Sequence, residues 1–330
     1  MEGNHYILGV DIGGTSISVG AVPTGGGPVI GMRSMPTDAH EGGEFVFNRI
    51  VNMVRDILTD EAHREHFRQE DVIGIGLGSP GPLDRRMGVV FETINLGWSN
   101  FTLRDEIAEK LGLEAELDND ANAATLGEWW QGAARGFDHV LGVTIGTGIG
   151  GGIVLAGEVY HGASDVAAEF GHMTIDSAGR KCGCGNHGCL EAYASGPAIA
   201  ARAVEGIEAG ATSLMSGMVH GDLKLITAEK VFEAIIAGDR YANEVMLETA
   251  RLLGVGLANL INILNPGIVV LSGGVTRAGD HLLVPLRKEI EQRAFVRASE
   301  SCRVCIGELG DMAGVIGAAA LFHIARLGPL

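Results

Sequence analysis

Three cysteines within eight residues form the densest group of chemically versatile side chains in the sequence. Cys182, Cys184 and Cys189 are separated mainly by glycines, which allow the chain to wrap tightly around one centre. Three thiolates and one imidazole make a tetrahedral Cys₃His zinc site. His187 lies inside the cysteine loop and His172 lies ahead of it, and spacing leaves both open as the fourth ligand. The cluster therefore predicts zinc, with either histidine completing the site.

A short apolar strand that runs into a cluster of glycines occurs twice. The segments YILGVDIGGT at 6–15 and HVLGVTIGTG at 139–148 align without a gap. Such turns suit phosphate, because consecutive N–H groups form an anion-binding concavity and glycine lets the phosphate come close. Ordinary hairpin turns are the plainer alternative for either copy, but the matched pair favours two related domains that face one ligand. The predicted phosphate-binding residues are Gly13, Gly14, Thr15, Gly146, Thr147 and Gly148.

Two other glycine motifs are excluded by sequence context. The chain has no Gly-x-x-x-x-Gly-Lys-Ser/Thr segment, so a P-loop nucleotide site is not predicted. Gly146, Gly148 and Gly151 satisfy Gly-x-Gly-x-x-Gly, the fingerprint of a dinucleotide-binding fold. That fold requires a helix immediately afterwards, whereas residues 152–157 are typical of a strand and a turn. A dinucleotide oxidoreductase is therefore excluded.

The elements that must position these residues alternate between strands and helices. Hydrophobic periodicity predicts a hairpin over 6–22, strands over 72–77, 114–117 and 268–271, and a second hairpin from 140–145 and 152–155. Helices are predicted over 44–60, 102–111, 121–130, much of 195–264 and 312–326. Such alternation implies a mostly parallel sheet and an α/β fold. The expected domains are a small one over 1–120, which the segment 312–330 could join, and a larger one over 121–311.

Length and composition indicate a soluble globular protein of two domains. The chain has 330 residues, of which 46% are hydrophobic and 20% charged, and a single core stops growing at roughly 250–300 residues. A net charge of −17 argues against non-specific nucleic-acid binding, which needs clustered Lys and Arg. With no targeting segment or membrane-length apolar run in the sequence, we expect a cytoplasmic protein with reduced or metal-bound cysteines. Core packing is the expected role of Cys302 and Cys305.

Seven motifs in a fixed order carry a resemblance that covers essentially the whole chain. They are DIGGT at 11–15, GSPGP at 78–82, NLGW at 95–98, DNDAN at 118–122, GTGIGGG at 146–152, EFGH at 169–172 and CGCGNHGCLE at 182–191. Together they resemble the ROK family of sugar kinases and related repressors, and most closely its bacterial glucokinases. The resemblance implies two duplicated ribonuclease-H-like domains of the actin and hexokinase type, with ATP and sugar in an interdomain cleft. The repeated strand is then explained by duplication of one ancestral domain.

The resemblance also implies roles for individual residues. The zinc histidine of the family is the one in EFGH, here His172, which also touches the sugar. A metal on one ring nitrogen fixes the tautomer and leaves the other nitrogen as a donor, so the zinc is expected to be structural. The implied sugar-binding residues are Gly81, Asn95, Asn119, Asp120, Glu169, His172 and Glu191. Asp11 is expected to help hold Mg²⁺, and Gly273 and Gly274 to line the adenosine side of the cleft.

Asp120 is the implied general base. In phosphoryl transfer the protein mostly positions groups and stabilises charge, and a carboxylate accepts the proton of the attacking hydroxyl. The plainer alternative is an N-cap, because an Asp directly before helical sequence caps helices well. The resemblance favours catalysis as the role of Asp120. Catalysis and helix capping could also coexist in the neighbouring pair Asp118 and Asp120.

The implied activity is ATP- and Mg²⁺-dependent phosphorylation of glucose to glucose 6-phosphate. N-acetylmannosamine kinases share the zinc and EFGH pattern, so that sugar or another hexose is the alternative substrate. A sugar-sensing repressor is disfavoured, because the first strand begins by Ile7 and leaves no room for a helix-turn-helix ahead of it. A non-catalytic sugar sensor remains a further alternative. Expected partners are the sugar and ATP, with no nucleic acid, no membrane and a homodimer or homotetramer as the assembly.

Overall fold

The computed structural model describes residues 5–93 and 96–330 and contains the alternating strands and helices of an α/β fold. The described strands are β1 (Tyr6–Ile12), β2 (Ser16–Pro23), β3 (Ile30–Pro36), β4 (Val72–Ser79), β5 (Leu83–Asp84), β6 (Val89–Thr93), β7 (Trp98–Phe101), β8 (Ala115–Asn119), β9 (Val140–Ile145), β10 (Ile149–Leu155), β11 (Glu158–Val159), β12 (Ile268–Ser272) and β13 (Arg303–Ile306). The described helices are α1 (Gly43–Thr59), α2 (Leu103–Leu111), α3 (Asp120–Gln131), α4 (Glu191–Ala194), α5 (Gly196–Glu208), α6 (Met215–Met218), α7 (Ala228–Ile236), α8 (Arg240–Leu264), α9 (Asp280–Arg293), α10 (Val296–Ser301) and α11 (Ala313–Arg326).

Contacts divide the chain into two compact units, and the chain passes between them four times. Unit 1 comprises residues 1–138, 152–168 and 307–330, and unit 2 comprises residues 139–151 and 169–306. The boundary expected at residue 120 falls inside unit 1, because α3 packs along α11. The last helix, α11, also lies in unit 1.

Two five-stranded sheets share one topology. The first has the order β3-β2-β1-β4-β8, with β1 antiparallel to β2 and parallel to β4, and β4 parallel to β8. The second has the order β11-β10-β9-β12-β13, with β12 parallel to both β9 and β13. The repeated segments of the sequence form β1 and β9, the central strands of the two sheets. This confirms the predicted α/β fold with its duplicated pattern.

Both faces of the first sheet are covered by helices. Alternate residues of β1, including Leu8 and Val10, belong to the core beneath α1, whereas Ile7 packs with Val315 and Phe322 of α11. Glycines on the α11 face allow the helix backbone to touch the sheet. A Cβ on Gly76 would lie 1.7 Å from the carbonyl oxygen of Ala318, so only glycine fits there. Glycines in these strands therefore serve helix packing as well as turns.

Several elements differ from the sequence expectations. The strand expected over 152–155 begins at Ile149, directly after the glycine turn, and the helical region 195–264 is divided among α5, α6, α7 and α8. A short sheet of β5, β6 and β7, together with α9, was not anticipated. The three strands are too short to show a hydrophobic period. Helix α9 does show one, because Leu282, Leu286 and Ile290 recur at helical spacing, and the sequence prediction overlooked it.

Helix α8 is the one described helix long and apolar enough to cross a membrane by length and composition alone. Core helices of soluble proteins pass the same test. Twelve residues of α8, among them Leu253 and Leu257, are buried within the protein, and α8 packs against α9 in unit 2.

Candidate functional site

In unit 1 the carboxyl ends of three parallel strands bring aspartates to one edge of the sheet. Asp11 on β1 pairs in register with Gly78 on β4, and Gly78 pairs with Asp118 on β8. Asp120 is the first residue of α3, and its Cα would lie 3.4 Å from a Cβ on Gly78. Ligands of open α/β sheets bind outside the carboxyl ends of the strands. The sequence-predicted residues Asp11 and Asp120 thus meet at the edge where such a ligand would lie.

Asp11 has an electrostatic environment that favours a cation. Burial, and secondly the negative charge of Asp120, raise the pKa of Asp11 from 3.8 to about 7. The carboxylate lies against the start of α11, where a Cβ on Gly314 would be 2.3 Å from Asp11 Cγ. The Asp11 and Asp120 carboxylates disfavour each other's negative charge. Their oxygens are a donor set that suits a hard cation such as Mg²⁺.

The N-cap of α3 is Asn119 rather than an aspartate. Its side-chain oxygen accepts hydrogen bonds from the backbone N–H groups of Ala121 at 2.9 Å and Asn122 at 3.3 Å. Asp120 follows as the first helical residue, and its Oδ1 accepts from Ala121 N at 2.9 Å. The N-cap role considered for Asp120 therefore belongs mainly to Asn119, whose Oδ1 is hydrogen-bonded to the first turn of the helix.

The two glycine turns are closed in similar ways. Gly13 N–H donates to Ser16 O, and Gly146 N–H donates to Gly148 O, each at 2.9 Å. These two N–H groups are therefore already hydrogen-bonded within their own turns. Gly14 and Thr15 are exposed at the tip of the first turn.

The remaining sequence-predicted residue described in unit 1 is Gly81. Its φ of +92° lies in the left-handed region, and a Cβ there would lie 2.5 Å from the carbonyl oxygen of Glu92. Glycine is required by both features. Asn95, predicted to contact the sugar, lies outside the described residues.

In unit 2 one histidine and three cysteines converge on a point. The ligand atoms of His172, Cys182, Cys184 and Cys189 all lie within 4.8 Å of one another. Cys184 Sγ and Cys189 Sγ are 3.7 Å apart, and Cys182 Sγ is 3.8 Å from His172 Nδ1. Tetrahedral zinc with bonds of about 2.3 Å to sulfur separates its sulfurs by about 3.8 Å. His187 is not part of this group, so the geometry distinguishes the two histidines that spacing left open.

Metal binding at this cluster requires that its thiols lose their protons. Burial raises the pKa of Cys189 to about 12 and raises the pKa of Cys182, whereas the backbone N–H of Asn186 lowers the pKa of exposed Cys184. A metal ligand must be a thiolate, and only a positive charge nearby would deprotonate the two buried thiols at neutral pH. The donor set matches a Cys₃His structural zinc site.

Two carboxylates border this cluster, Glu169 beside His172 and Glu191 beside Cys182. Glu169 Oε2 lies 4.0 Å from His172 Nε2, the ring nitrogen opposite the one that faces Cys182. Burial, and more weakly the charge of Glu191, raise the pKa of Glu169. Glu191 Oε2 accepts from the backbone N–H of Ile149 at 2.9 Å, which fixes it beside the second glycine turn. Unit 2 thus presents two carboxylates and an oriented imidazole, which are donors and acceptors suited to sugar hydroxyls.

A cavity of about 820 Å³ in unit 2 is large enough for a nucleotide. Three sequence-predicted residues, Gly146, Thr147 and Gly274, line it, whereas Gly148 and Gly273 are not among its lining residues. Gly273 instead has φ +92° at the end of β12, and Gly148 lies beside Glu191.

Sequence reasoning missed most of this cavity. Helices α5 and α7 begin at its wall, capped by the side chains of Ser195 and Thr227. Helix N-termini favour anions, because their N–H groups and dipoles are oriented outward. The signal was present in Ser-Gly-Pro at 195–197 and Thr-Ala-Glu at 227–229, which are typical of helix starts. The remaining lining residues were not predicted: Gly196, Pro197, Ala200, Ile226, Thr227, Ala228, Glu229, Phe232, Glu233, Met246, Val275, Arg277 and Ala278.

Comparisons with known proteins find relatives over nearly the whole chain. The ROK family model matches residues 7–325. A glucokinase from Halalkalibacterium halodurans is 39% identical over 315 residues, which are 95% of this chain and 94% of that protein. A ROK family glucokinase from Streptomyces griseus, solved in complex with glucose and AMPPNP, matches with a TM-score of 0.84 and 33% identity over 96% of this chain and 98% of its own.

Sugar-responsive regulators are also relatives. A xylose repressor from Caldicellulosiruptor bescii is 31% identical over 273 residues, which are 83% of this chain and 68% of the repressor. Kinases and repressors thus share one sequence family, and the family model covers nearly every described element. The chain belongs to the ROK family.

Proposed function

We propose that this protein is a glucokinase that transfers the γ-phosphoryl group of ATP to the 6-hydroxyl of glucose. The observation that carries the proposal is the match, over 96% of the chain, to a ROK glucokinase bound to glucose and AMPPNP. The relative from Halalkalibacterium halodurans, also a glucokinase, supports the same reaction.

Asp120 is the proposed general base. It would accept the proton of the sugar hydroxyl as that oxygen attacks phosphorus, while the leaving oxygen departs with ADP. Its place at the first turn of a capped helix holds the carboxylate in one position. Asp11 would hold Mg²⁺, which when bound neutralises charge on the phosphates.

Glu169, His172 and Glu191 are the proposed sugar-binding residues of unit 2, with Gly81, Asn95 and Asn119 from the remainder of the chain. His172 would bind zinc through Nδ1 with Cys182, Cys184 and Cys189, which leaves Nε2 to donate to a sugar oxygen. The zinc would therefore hold a binding residue in its tautomer and orientation rather than enter the reaction.

The 820 Å³ cavity is the proposed adenosine site. Its phosphate-binding groups would be the hydroxyl of Thr147, the turn Gly146–Gly148 and the N-termini of α5 and α7. The turn Gly13–Thr15 of unit 1 keeps its predicted role toward phosphate. Gly274 would line the adenosine side, beside Gly273. For the assembly we predict a homodimer or homotetramer, and for the location we predict the cytoplasm.

The experiment that tests the function is ADP release with Mg-ATP across a sugar panel. The panel contains glucose, mannose, fructose, N-acetylglucosamine and N-acetylmannosamine. We expect the highest kcat/KM with glucose. A preference for N-acetylmannosamine would keep the mechanism and replace the substrate, whereas sugar binding without ADP release from any sugar would indicate a sensor.

A further inference from the structure

Asp118 is a buried carboxylate that the proposed reaction does not use. Its side chain is 1% exposed, and it precedes the proposed base by two residues. A buried charge is costly unless it is paired and hydrogen-bonded. Here both carboxylate oxygens have partners, and the partners come from different parts of unit 1.

Oδ1 of Asp118 holds the beginning of α3. It accepts from the backbone N–H of Asn119 at 2.7 Å and from the side-chain amide of Asn122 at 3.0 Å. These two residues flank Asp120 on the first turn of the helix. A shift of Oδ1 would therefore move or loosen the turn that carries the Asp120 carboxylate.

Oδ2 of Asp118 holds two loops. His161 Nε2 lies 2.6 Å from it in a hydrogen bond. Arg85 Nε lies 3.0 Å from it as an ion pair, at an angle that does not make a hydrogen bond. The loops are also joined to each other, because the backbone N–H of Arg85 donates to Asp165 Oδ2 at 3.2 Å. Asp165 has a φ of +58°, an unfavourable value for a residue with a side chain. The loop from His161 to Asp165 is thus held in one conformation by its contacts with Asp118 and Arg85.

We propose that His161 and Arg85 are positioning residues for Asp120, acting through the carboxylate of Asp118. The hydrogen bond from His161 and the ion pair with Arg85 hold Oδ2 in place. Oδ1 then stays aligned on the first turn of α3, which sets where the Asp120 carboxylate lies. The assignment rests on the proposed role of Asp120 as base. Displacement of a reacting group by about 1 Å can cost 10²-fold in rate, so loss of this support lowers turnover rather than sugar affinity.

The test compares His161→Leu, which lacks a donor, with His161→Gln, whose amide N–H can still donate to Asp118. We expect His161→Leu to lower kcat by roughly 10- to 100-fold, with the glucose dissociation constant nearly unchanged and kcat largely restored in His161→Gln. His40→Leu is the matched control, since His40 is exposed in the same unit and pairs only with Glu41 among the described contacts. Equal kcat in His161→Leu and the wild type would overturn the proposal.

A double-mutant cycle with Asp120→Asn separates this inference from the proposed function. If His161 acts through Asp120, adding His161→Leu to Asp120→Asn should lower kcat little further. The base that His161 would position is already absent in Asp120→Asn. Additive losses would contradict the proposal while leaving Asp120 as base. Near-normal turnover of Asp120→Asn alone would overturn the base assignment and this inference with it.

Should His161→Leu fail to fold, Arg85→Met supplies the second variant, because the side chain of Arg85 is 36% exposed and tolerates truncation better. A lower kcat with unchanged glucose binding is expected there as well, and an unchanged kcat would count against the network.

Discussion

At the scale of single residues, the two aspartates at the sheet edge have separable tasks. Asp120 follows the cap residue of α3, and Asp11 is the penultimate residue of β1. Burial, and secondly the negative charge of Asp120, raise the pKa of Asp11. The proposed proton acceptor and the proposed cation ligand are therefore adjacent, and each can be removed by itself.

Asp120→Asn is expected to bind glucose with near-normal affinity and to lose activity by about 10²- to 10⁴-fold, the usual contribution of a general base. The amide has nearly the same shape but cannot accept the proton. ADP release gives the rate and calorimetric titration gives the affinity. Asp56→Asn, at an exposed position of α1, is the control. Turnover close to that of the wild type would exclude Asp120 as the base.

Asp11 predicts a pH-dependent stability in the absence of Mg²⁺. Its pKa is about 7 in the folded chain against an ordinary 3.8, so folding favours the protonated form. The stability that this proton contributes is complete below about pH 4 and is lost as the pH rises through 7. Asp11→Asn should therefore raise the melting temperature in EDTA more at pH 8 than at pH 5.5, while abolishing Mg²⁺-dependent activity. A melting shift of equal size at both pH values would contradict this account.

At the scale of elements, the cysteine loop and the 3₁₀ turn Phe170–His172 come together as one candidate metal site. We expect about one zinc per chain by elemental analysis of the purified protein. Cys184→Ser should lose most of the zinc and weaken glucose binding, because His172 then loses its orientation. Cys302→Ser, outside the cluster, should retain both. Fully active protein without metal would exclude a structural zinc.

The contact between α3 and α11 depends on glycine, as does the contact between α11 and the first sheet. A Cβ on Gly317 would lie 1.5 Å from the carbonyl oxygen of Ala123. Gly317→Ala improves helix propensity by up to about 1 kcal/mol, but the overlap forces the helices apart at a cost of roughly 1–3 kcal/mol or more. We expect a lower melting temperature by calorimetry. Gly25→Ala, where a Cβ meets nothing within 4 Å, should leave it unchanged. Stabilisation by Gly317→Ala would show that the helices can separate freely.

At the scale of the whole molecule, sequence reasoning succeeded where the signal is local. The cysteines lie within eight residues, and the repeated strand preserves its order of residues, so the metal cluster and the duplicated fold were both foreseeable. The cap of α3 was not, because Asn119 and Asp120 are both good cap residues and only the backbone distinguishes them. Asp118 and His161 are 43 residues apart in the sequence, and hydrophobic periodicity gives no information about such a contact.

The acidic charge of the molecule bears on the difference between its kinase and repressor relatives. A net charge of −17 opposes association with phosphate backbones. We expect no binding to a fluorescein-labelled DNA duplex by anisotropy in about 0.15 M salt, with or without glucose. Sugar-dependent binding would instead place this chain with the regulators.

The passage of the chain between the two units has a consequence for synthesis on the ribosome. Unit 2 is complete once residue 306 has been made, whereas the core of unit 1 joins Ile7 of β1 to Val315 and Phe322 of α11. At about 5–20 residues per second, β1 waits roughly 15–60 s for the helix that covers it. The unit begun first is therefore the one finished last. During that interval its apolar strand face is exposed, and this nascent chain is where we expect chaperones to be needed most.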